Sequence, residues 1–103
     1  MVTRYFILDD DRDIDAIIAL FTDDATVLDE GRTYRGTAEI RDWQTGAASK
    51  YTYSTTILDT ESLPTGDYRV KVRLEVNFPG GTVELKFDFA LAAEHISKLE
   101  IRP

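Results

Sequence analysis

The 103-residue sequence contains no cysteine, which excludes disulfide bonds, thiol chemistry and zinc–thiolate sites. Histidine occurs once, as His95 in a predicted surface turn, so a metal centre built from several imidazoles is excluded too. There is no phosphate-binding glycine loop, no G-x-S-x-G nucleophile elbow and no dinucleotide-binding glycine fingerprint. We therefore expect a protein that needs neither a metal nor a cofactor.

Long apolar runs are also missing, since no stretch approaches the roughly 18 residues of a membrane span. The first residues lack the basic-then-apolar pattern of a secretory signal, and we expect a cytoplasmic protein without membrane contacts. Acidic residues outnumber basic ones by 19 to 12, which gives a formal net charge of −7. Nucleic acids and anionic membranes bind cationic surfaces, so neither is an expected partner.

What is present suffices for a single domain over residues 1–103. An apolar content of 43% in so short a chain supports one core, to which a second subunit would be a natural supplement. Up to about Lys50 the apolar residues recur mainly at the helical period, and beyond it they alternate. Helices followed by strands indicate an α+β domain.

Three short helices are predicted in the first half. The first spans Thr3–Asp9, and the second spans Ile14–Phe21 with Asp13 as its N-cap. The third begins at Gly36 and carries an apolar stripe that includes Trp43. These helices would cover one face of the sheet that follows.

Alternating apolar residues predict the strands. The predicted strands are Thr26–Asp29, Thr33-Tyr34, Tyr51–Ile57, Tyr68–Phe78, Val83–Leu91 and Ser97–Ile101. A two-residue loop at Gly80-Gly81 would place Leu74 opposite Phe87 and Arg73 opposite Asp88. This register predicts that Phe87 faces inward and that Asp88 faces outward.

Asp29 is the first candidate for chemistry, because alternation places it on the inward side together with Val27. An inward carboxylate needs hydrogen bonds, and burial would raise its pKa toward that of a general base. Alternatively, Asp29 is an ordinary strand-end residue beside the Glu30-Gly31 turn, and from the residue pattern alone this alternative is the stronger.

Tyr5 is the second candidate. A phenol facing a pocket can donate a hydrogen bond to a carbonyl or enolate oxygen, although a helix tyrosine is often simply half-buried core. Aromatic and apolar inward residues would form the walls of a pocket for a hydrophobic small molecule, or would fill the core instead. These residues are Val27, Trp43, Tyr51, Tyr53, Phe87 and Phe89.

The acidic stretch Asp9–Asp11, together with Asp13 and Asp15, raises the possibility of a calcium loop. It lacks the glycine at the sixth position and the glutamate at the twelfth that an EF-hand needs. We interpret it as a solvated turn followed by a helix cap.

Several segments resemble SnoaL-like proteins of the nuclear transport factor 2-like superfamily, which includes ketosteroid isomerases and polyketide cyclases. The segments that carry the resemblance are Thr3–Phe6, Asp13–Ile17, Phe21–Asp29, Tyr34–Gly36, Ile40–Trp43, Asn77–Gly80, Val83–Leu85, Ile96 and Leu99–Ile101. The resemblance implies a cone-shaped, curved antiparallel or mixed sheet wrapped by about three helices, a cystatin-like roll. It also implies a cavity and, commonly, a homodimer.

The resemblance places Tyr5 where the isomerases have an oxyanion tyrosine and Asp29 where they have a proton-shuttling aspartate. Their second oxyanion donor, a protonated carboxylic acid, would fall at Phe87-Asp88. If Phe87 faces inward, that donor is missing, which argues against steroid isomerisation as such.

The resulting hypothesis is an isomerase- or cyclase-like proton transfer on a hydrophobic carbonyl compound, using Asp29 and Tyr5. A non-catalytic ligand-binding or dimerisation module on the same fold is the alternative, because fold does not decide function. Epoxide hydrolysis would need an Asp/Arg/Asp group inside the cavity, and the inward faces look almost entirely apolar, so it is the least favoured.

Overall fold

A computed structural model describes residues 2–46, 53–76 and 81–103, and these residues form three helices and six strands. The helices are α1 (Val2–Asp10), α2 (Ile14–Ala19) and α3 (Gly36–Thr45). The strands are β1 (Phe21–Asp29), β2 (Arg32–Arg35), β3 (Tyr53–Ser62), β4 (Tyr68–Val76), β5 (Thr82–Ala92) and β6 (His95–Arg102). The α+β prediction is confirmed.

The helix that follows the acidic stretch begins as predicted and ends early. The side chain of Asp13 accepts a hydrogen bond from the backbone N–H of Ala16, 3.2 Å away, and so caps α2. The prediction extended this helix to Phe21, but Phe21 is the first residue of β1 and is buried in the core. Its spacing from Ile14 fits a helix, yet an apolar residue at the start of a strand produces the same spacing.

The strands form one mixed, curled sheet in the order β2-β1-β6-β5-β4-β3. The pair β1 and β6 is parallel, and the other neighbouring pairs are antiparallel. Irregularities interrupt the register in β1, β3 and β5, and such bulges bend strands and increase their twist. The helices cover the face toward which the sheet curls, and together they enclose the core.

The predicted register of β4 and β5 is wrong. Arg73 pairs with Glu84 rather than with Asp88, so each β4 residue faces a β5 residue four positions earlier than predicted. A shift by an even number leaves every side chain on its original face, and alternation therefore cannot distinguish the two registers. Glu75 pairs with Thr82, which is incompatible with a two-residue loop at Gly80-Gly81; residues 77–80 lie outside the described part.

The buried core lies between the helices and the sheet. Its fully enclosed side chains include Ile17 of α2, Ile40 of α3, Val72 of β4 and Leu99 of β6. Among the described residues, no helix is long and apolar enough to cross a membrane.

Candidate functional site

A cavity of about 340 Å³ opens between the helices and the sheet, a size at the lower end of small-molecule sites. Its apolar lining is Phe6, Trp43, Leu74, Val76, Val83, Leu85, Phe87 and Ile101. Its polar lining is Tyr5, Asp9, Asp29, Glu30, Tyr53 and Thr55. The cavity therefore combines apolar walls with a few groups that can transfer protons or form hydrogen bonds.

Asp29 ends β1 and lies in the cavity wall. The chain turns immediately afterwards, with left-handed backbone at Glu30 (φ 52°) and Gly31 (φ 76°). The indole Nε1 of Trp43 donates a hydrogen bond to Asp29 Oδ2 over 3.0 Å, which orients the carboxyl group. Burial raises the pKa of the Asp29 carboxyl, and the bond from Trp43 offsets only part of that rise. A half-buried carboxylate of raised pKa is suited to accept a proton.

Tyr5 comes from α1 and is almost completely buried, with an exposed fraction of 2%. Its ring meets those of Phe6 and Phe89 edge-on, with centroids 5.3 Å and 5.6 Å away. Its hydroxyl oxygen accepts a hydrogen bond from Nε2 of Gln44 over 3.2 Å. Burial raises the pKa of the phenol well above its usual value, so Tyr5 remains neutral and keeps a proton to donate.

Asp9 is a cavity residue that the sequence analysis missed. It is 6% exposed. Its Oδ2 accepts a hydrogen bond from the hydroxyl of Tyr53 over 2.8 Å, and its Oδ1 accepts one from Arg12 over 3.2 Å. Burial raises the pKa of the Asp9 carboxyl, while both of these partners oppose the rise. The interpretation of Asp9–Asp11 as a solvated turn fits the exposed Asp10 and Asp11 and is wrong for Asp9. Its position four residues after Tyr5, on the same helix face, could have revealed it.

The other predicted pocket residues divide into two groups. Trp43, Tyr53 and Phe87 line the cavity. Val27 and Phe89 do not: both are fully buried core residues, because the helices cover them and only the end of β1 reaches the opening. Tyr51 lies outside the described residues.

Asp88 stands on the opposite face of the sheet from Phe87. Its carboxylate accepts from Arg69 Nε over 2.8 Å and forms a salt bridge of 2.7 Å with Arg102. Phe87, in contrast, lines the cavity with its apolar ring. His95 is exposed, and no cluster of acidic or histidine residues that could hold a metal occurs in residues 2–46, 53–76 and 81–103.

The family model of the SnoaL-like domain matches residues 2–93. The chain belongs to the SnoaL-like domain family. Among solved structures it resembles the proposed polyketide cyclase SMa1630 from Sinorhizobium meliloti, at 31% identity and a TM-score of 0.89. That alignment covers 98% of this chain and 92% of the other. None of the curated proteins compared with the chain matches it.

More distant structures share the fold. One is SalBIII, an epoxide hydrolase/cyclase-like enzyme with a role in pyran ring formation in the polyether salinomycin. It is 21% identical to this chain with a TM-score of 0.84, and the alignment covers 98% of this chain and 85% of SalBIII. RV0760c from Mycobacterium tuberculosis, in complex with estradiol-17beta-hemisuccinate, is 15% identical with a TM-score of 0.79 over 94% and 85%. The fold is that of nuclear transport factor 2-like and ketosteroid isomerase-like proteins.

Proposed function

We propose that the cavity binds a hydrophobic small molecule that carries a carbonyl group, and that the protein moves a proton at the carbon beside it. The observation that carries this proposal is the meeting of two groups in one apolar cavity. Asp29 is a carboxylate oriented by Trp43 and raised in pKa by burial, and Tyr5 is a neutral phenol. A base and a hydrogen-bond donor are the two groups that enolisation needs.

In this reaction Asp29 removes the proton from the α-carbon of the ligand, and the C–H electron pair moves toward the carbonyl oxygen. Tyr5 donates a hydrogen bond to the oxygen as its negative charge develops. Asp29 then returns the proton to a different carbon, as in an isomerase. In a cyclase the enolate carbon instead attacks a second carbonyl carbon, the C=O π bond opens, and Asp29 gives its proton to the resulting alkoxide oxygen. Because Phe87 lines the cavity while Asp88 lies on the opposite face of the sheet, Tyr5 is the one donor assigned to the oxygen.

The relatives support a hydrophobic ligand of this kind. SMa1630 is a proposed polyketide cyclase, and RV0760c was solved with a steroid derivative. Polyketides and steroids both combine a largely apolar carbon skeleton with carbonyl or hydroxyl oxygens. The apolar lining of the cavity has the chemistry to hold such a skeleton while its polar groups contact the oxygens.

Deuterium exchange tests the proposal directly. The protein is incubated in D₂O with a panel of hydrophobic ketones, beginning with 2-acetylnaphthalene, and incorporation at the α-carbon is followed by NMR. Loss of the base in Asp29→Asn is expected to lower the exchange rate by roughly 10²-fold or more. The matched control Asp23→Asn changes an exposed carboxylate on the same strand and should exchange like the wild type.

A non-catalytic ligand-binding or dimerisation module predicts a different result. Ketones would bind without exchange above the buffer rate, or exchange would be equal in the wild type and in Asp29→Asn. Either result would contradict the assigned role of Asp29.

Asp9 favours a second candidate reaction, the opening of an epoxide. The inward face is less apolar than the sequence suggested, because a second carboxyl group, with Arg12 beside it, lies in the cavity. A protonated Asp29 would give its proton to the epoxide oxygen as the C–O bond breaks, while the Asp9 carboxylate takes the proton from the attacking hydroxyl or water. Asp9→Asn should then abolish epoxide opening and leave ketone exchange largely intact.

A further inference from the structure

Gln44 is a fully buried side chain at the end of α3 that no step above employs. Its amide lies between Arg12 and Tyr5, residues that are 32 and 39 positions away in the sequence. Arg12 Nη1 is 3.2 Å from Gln44 Oε1, and the hydroxyl of Tyr5 is 3.2 Å from Gln44 Nε2. A buried polar side chain in such a position orients its neighbours.

The direction of these hydrogen bonds follows from the chemistry of arginine. A guanidinium group has donors only, so the atom of Gln44 that faces Arg12 must be the carbonyl oxygen. Arg12 Nη2 also donates to the backbone oxygen of Gln44 over 2.7 Å and holds the two residues together. The amide nitrogen is therefore turned to Tyr5, and the Tyr5 oxygen accepts a hydrogen bond from it.

The consequence concerns the two tyrosine hydroxyls of the cavity. The hydroxyl of Tyr53 donates a hydrogen bond to Asp9 over 2.8 Å, so it can only accept a hydrogen bond from a ligand. The Tyr5 oxygen is engaged as an acceptor, and no acceptor for its own proton is found within the described part of the chain. That proton is free for a group in the cavity that Tyr5 lines.

We propose that Gln44, itself oriented by Arg12, is a positioning residue that makes Tyr5 the hydrogen-bond donor of the cavity. The site thereby selects a ligand whose uncharged carbonyl oxygen lies at Tyr5, while Tyr53 makes no donation to it. This inference rests on the carbonyl ligand of the proposed function but not on proton transfer by Asp29.

The infrared stretching frequency of a bound carbonyl reports the donor directly. The probe is 2-acetylnaphthalene labelled with ¹³C at the carbonyl carbon, and 2-isopropylnaphthalene is the control ligand without an acceptor. In the wild type the carbonyl band is expected at a lower frequency than in an apolar solvent. Tyr5→Phe should abolish that shift and weaken ketone binding about three- to tenfold, as the loss of one hydrogen bond does, with no loss for the hydrocarbon.

Gln44→Glu is the decisive variant, because it is nearly isosteric and turns the group that faces Tyr5 from a donor into an acceptor. At pH 8, beside Arg12, the new carboxylate has acceptors only and takes the proton of Tyr5. We expect the carbonyl shift to be lost as in Tyr5→Phe, and the double variant to lose no more than either single one. A merely structural role for Gln44 would lower the melting temperature without moving the carbonyl band.

The matched substitution Tyr53→Phe keeps the test decisive even if Gln44→Glu does not fold. It should leave the carbonyl frequency at its wild-type value, because the proton of Tyr53 is already donated to Asp9. The inference is overturned if the carbonyl shift survives in Tyr5→Phe or in folded Gln44→Glu, or if it is lost in Tyr53→Phe. Failure of the ketone to bind to the wild type overturns it as well. A bound ketone with the expected shifts but without α-deuteration overturns the proton-transfer function alone.

Discussion

At the scale of single residues, Asp29 and Asp9 are two carboxyl groups in one cavity with different partners. Asp29 accepts one side-chain hydrogen bond, from the neutral indole of Trp43, whereas Asp9 accepts from Tyr53 and from the cationic Arg12. Two donors, one of them cationic, favour the charged form of Asp9, whereas a single neutral donor side chain favours that of Asp29. This difference is the reason for assigning proton exchange with a carbonyl ligand to Asp29.

The burial of Asp29 also predicts a pH-dependent effect on stability. Its folded-state pKa lies above the ordinary 3.8, so the folded protein binds the proton more tightly than the unfolded chain does. The stability contributed by this group is complete below about pH 3.8 and is lost as the pH rises through the folded-state pKa. Asp29→Asn cannot ionise, and its amide oxygen can still accept from Trp43.

We therefore expect Asp29→Asn to be more stable than the wild type at pH 7, with a smaller difference at pH 4. Urea denaturation at the two pH values measures this, and Asp23→Asn, in an exposed position, should show no comparable trend. A variant that is less stable than the wild type at pH 7 would show that the carboxylate stabilises the fold. A gain in stability at the expense of activity is common at functional sites.

At the scale of elements, Arg12 joins helices α1 and α3. It follows α1 with a left-handed backbone (φ 55°), precedes α2, and hydrogen-bonds to Asp9 of α1 and to the side chain and backbone of Gln44 at the end of α3. Asp9 in turn accepts from Tyr53, which begins β3. Two helices and one edge of the sheet are thus joined beside the cavity by partly buried polar contacts.

Removal of this junction is expected to destabilise the protein strongly. Arg12→Ala deletes three hydrogen bonds and leaves two buried polar side chains with fewer partners, at a cost of about 2–3 kcal/mol. The matched control Arg4→Ala changes an exposed arginine of α1 and should alter stability by no more than about 0.5 kcal/mol. Equal urea midpoints for the two variants would contradict the role of the junction.

At the scale of the whole molecule, the outer face of the sheet is charged, and several of its charges are paired within the chain. Asp88 binds Arg69 and Arg102, and Arg73 lies 3.5 Å from Glu84. Such exposed pairs contribute little to stability, and salt screens them. Because they are satisfied within one chain, they provide little attraction for the same face of a second copy.

We predict a homodimer whose dissociation constant changes little with salt, since the charged outer face would not supply its main contacts. Sedimentation velocity over a range of protein and salt concentrations measures this. Dissociation at high salt would indicate that charged pairs across the outer face hold the dimer. A monomer under all conditions would contradict the expectation of a dimer.

Local sequence indicated three helices and six strands, although not the end of α2, and the faces on which Phe87 and Asp88 lie. Alternation directed Phe87 inward and Asp88 outward, and both lie on those faces even though the predicted partner of Asp88 was wrong. The helix cap at Asp13 also followed from neighbouring residues. These features depend on the period of the chain and on contacts within a few residues, which a sequence displays directly.

Only the tertiary structure decided which inward residues border an opening and which are enclosed. Val27 and Asp29 share a side of β1, yet the first is core and the second lines the cavity. The contacts of Asp9 with Tyr53 and of Gln44 with Tyr5 join residues 44 and 39 positions apart. The periodicity of the sequence does not encode such contacts, since they depend on the curvature of the sheet and on where the helices pack against it.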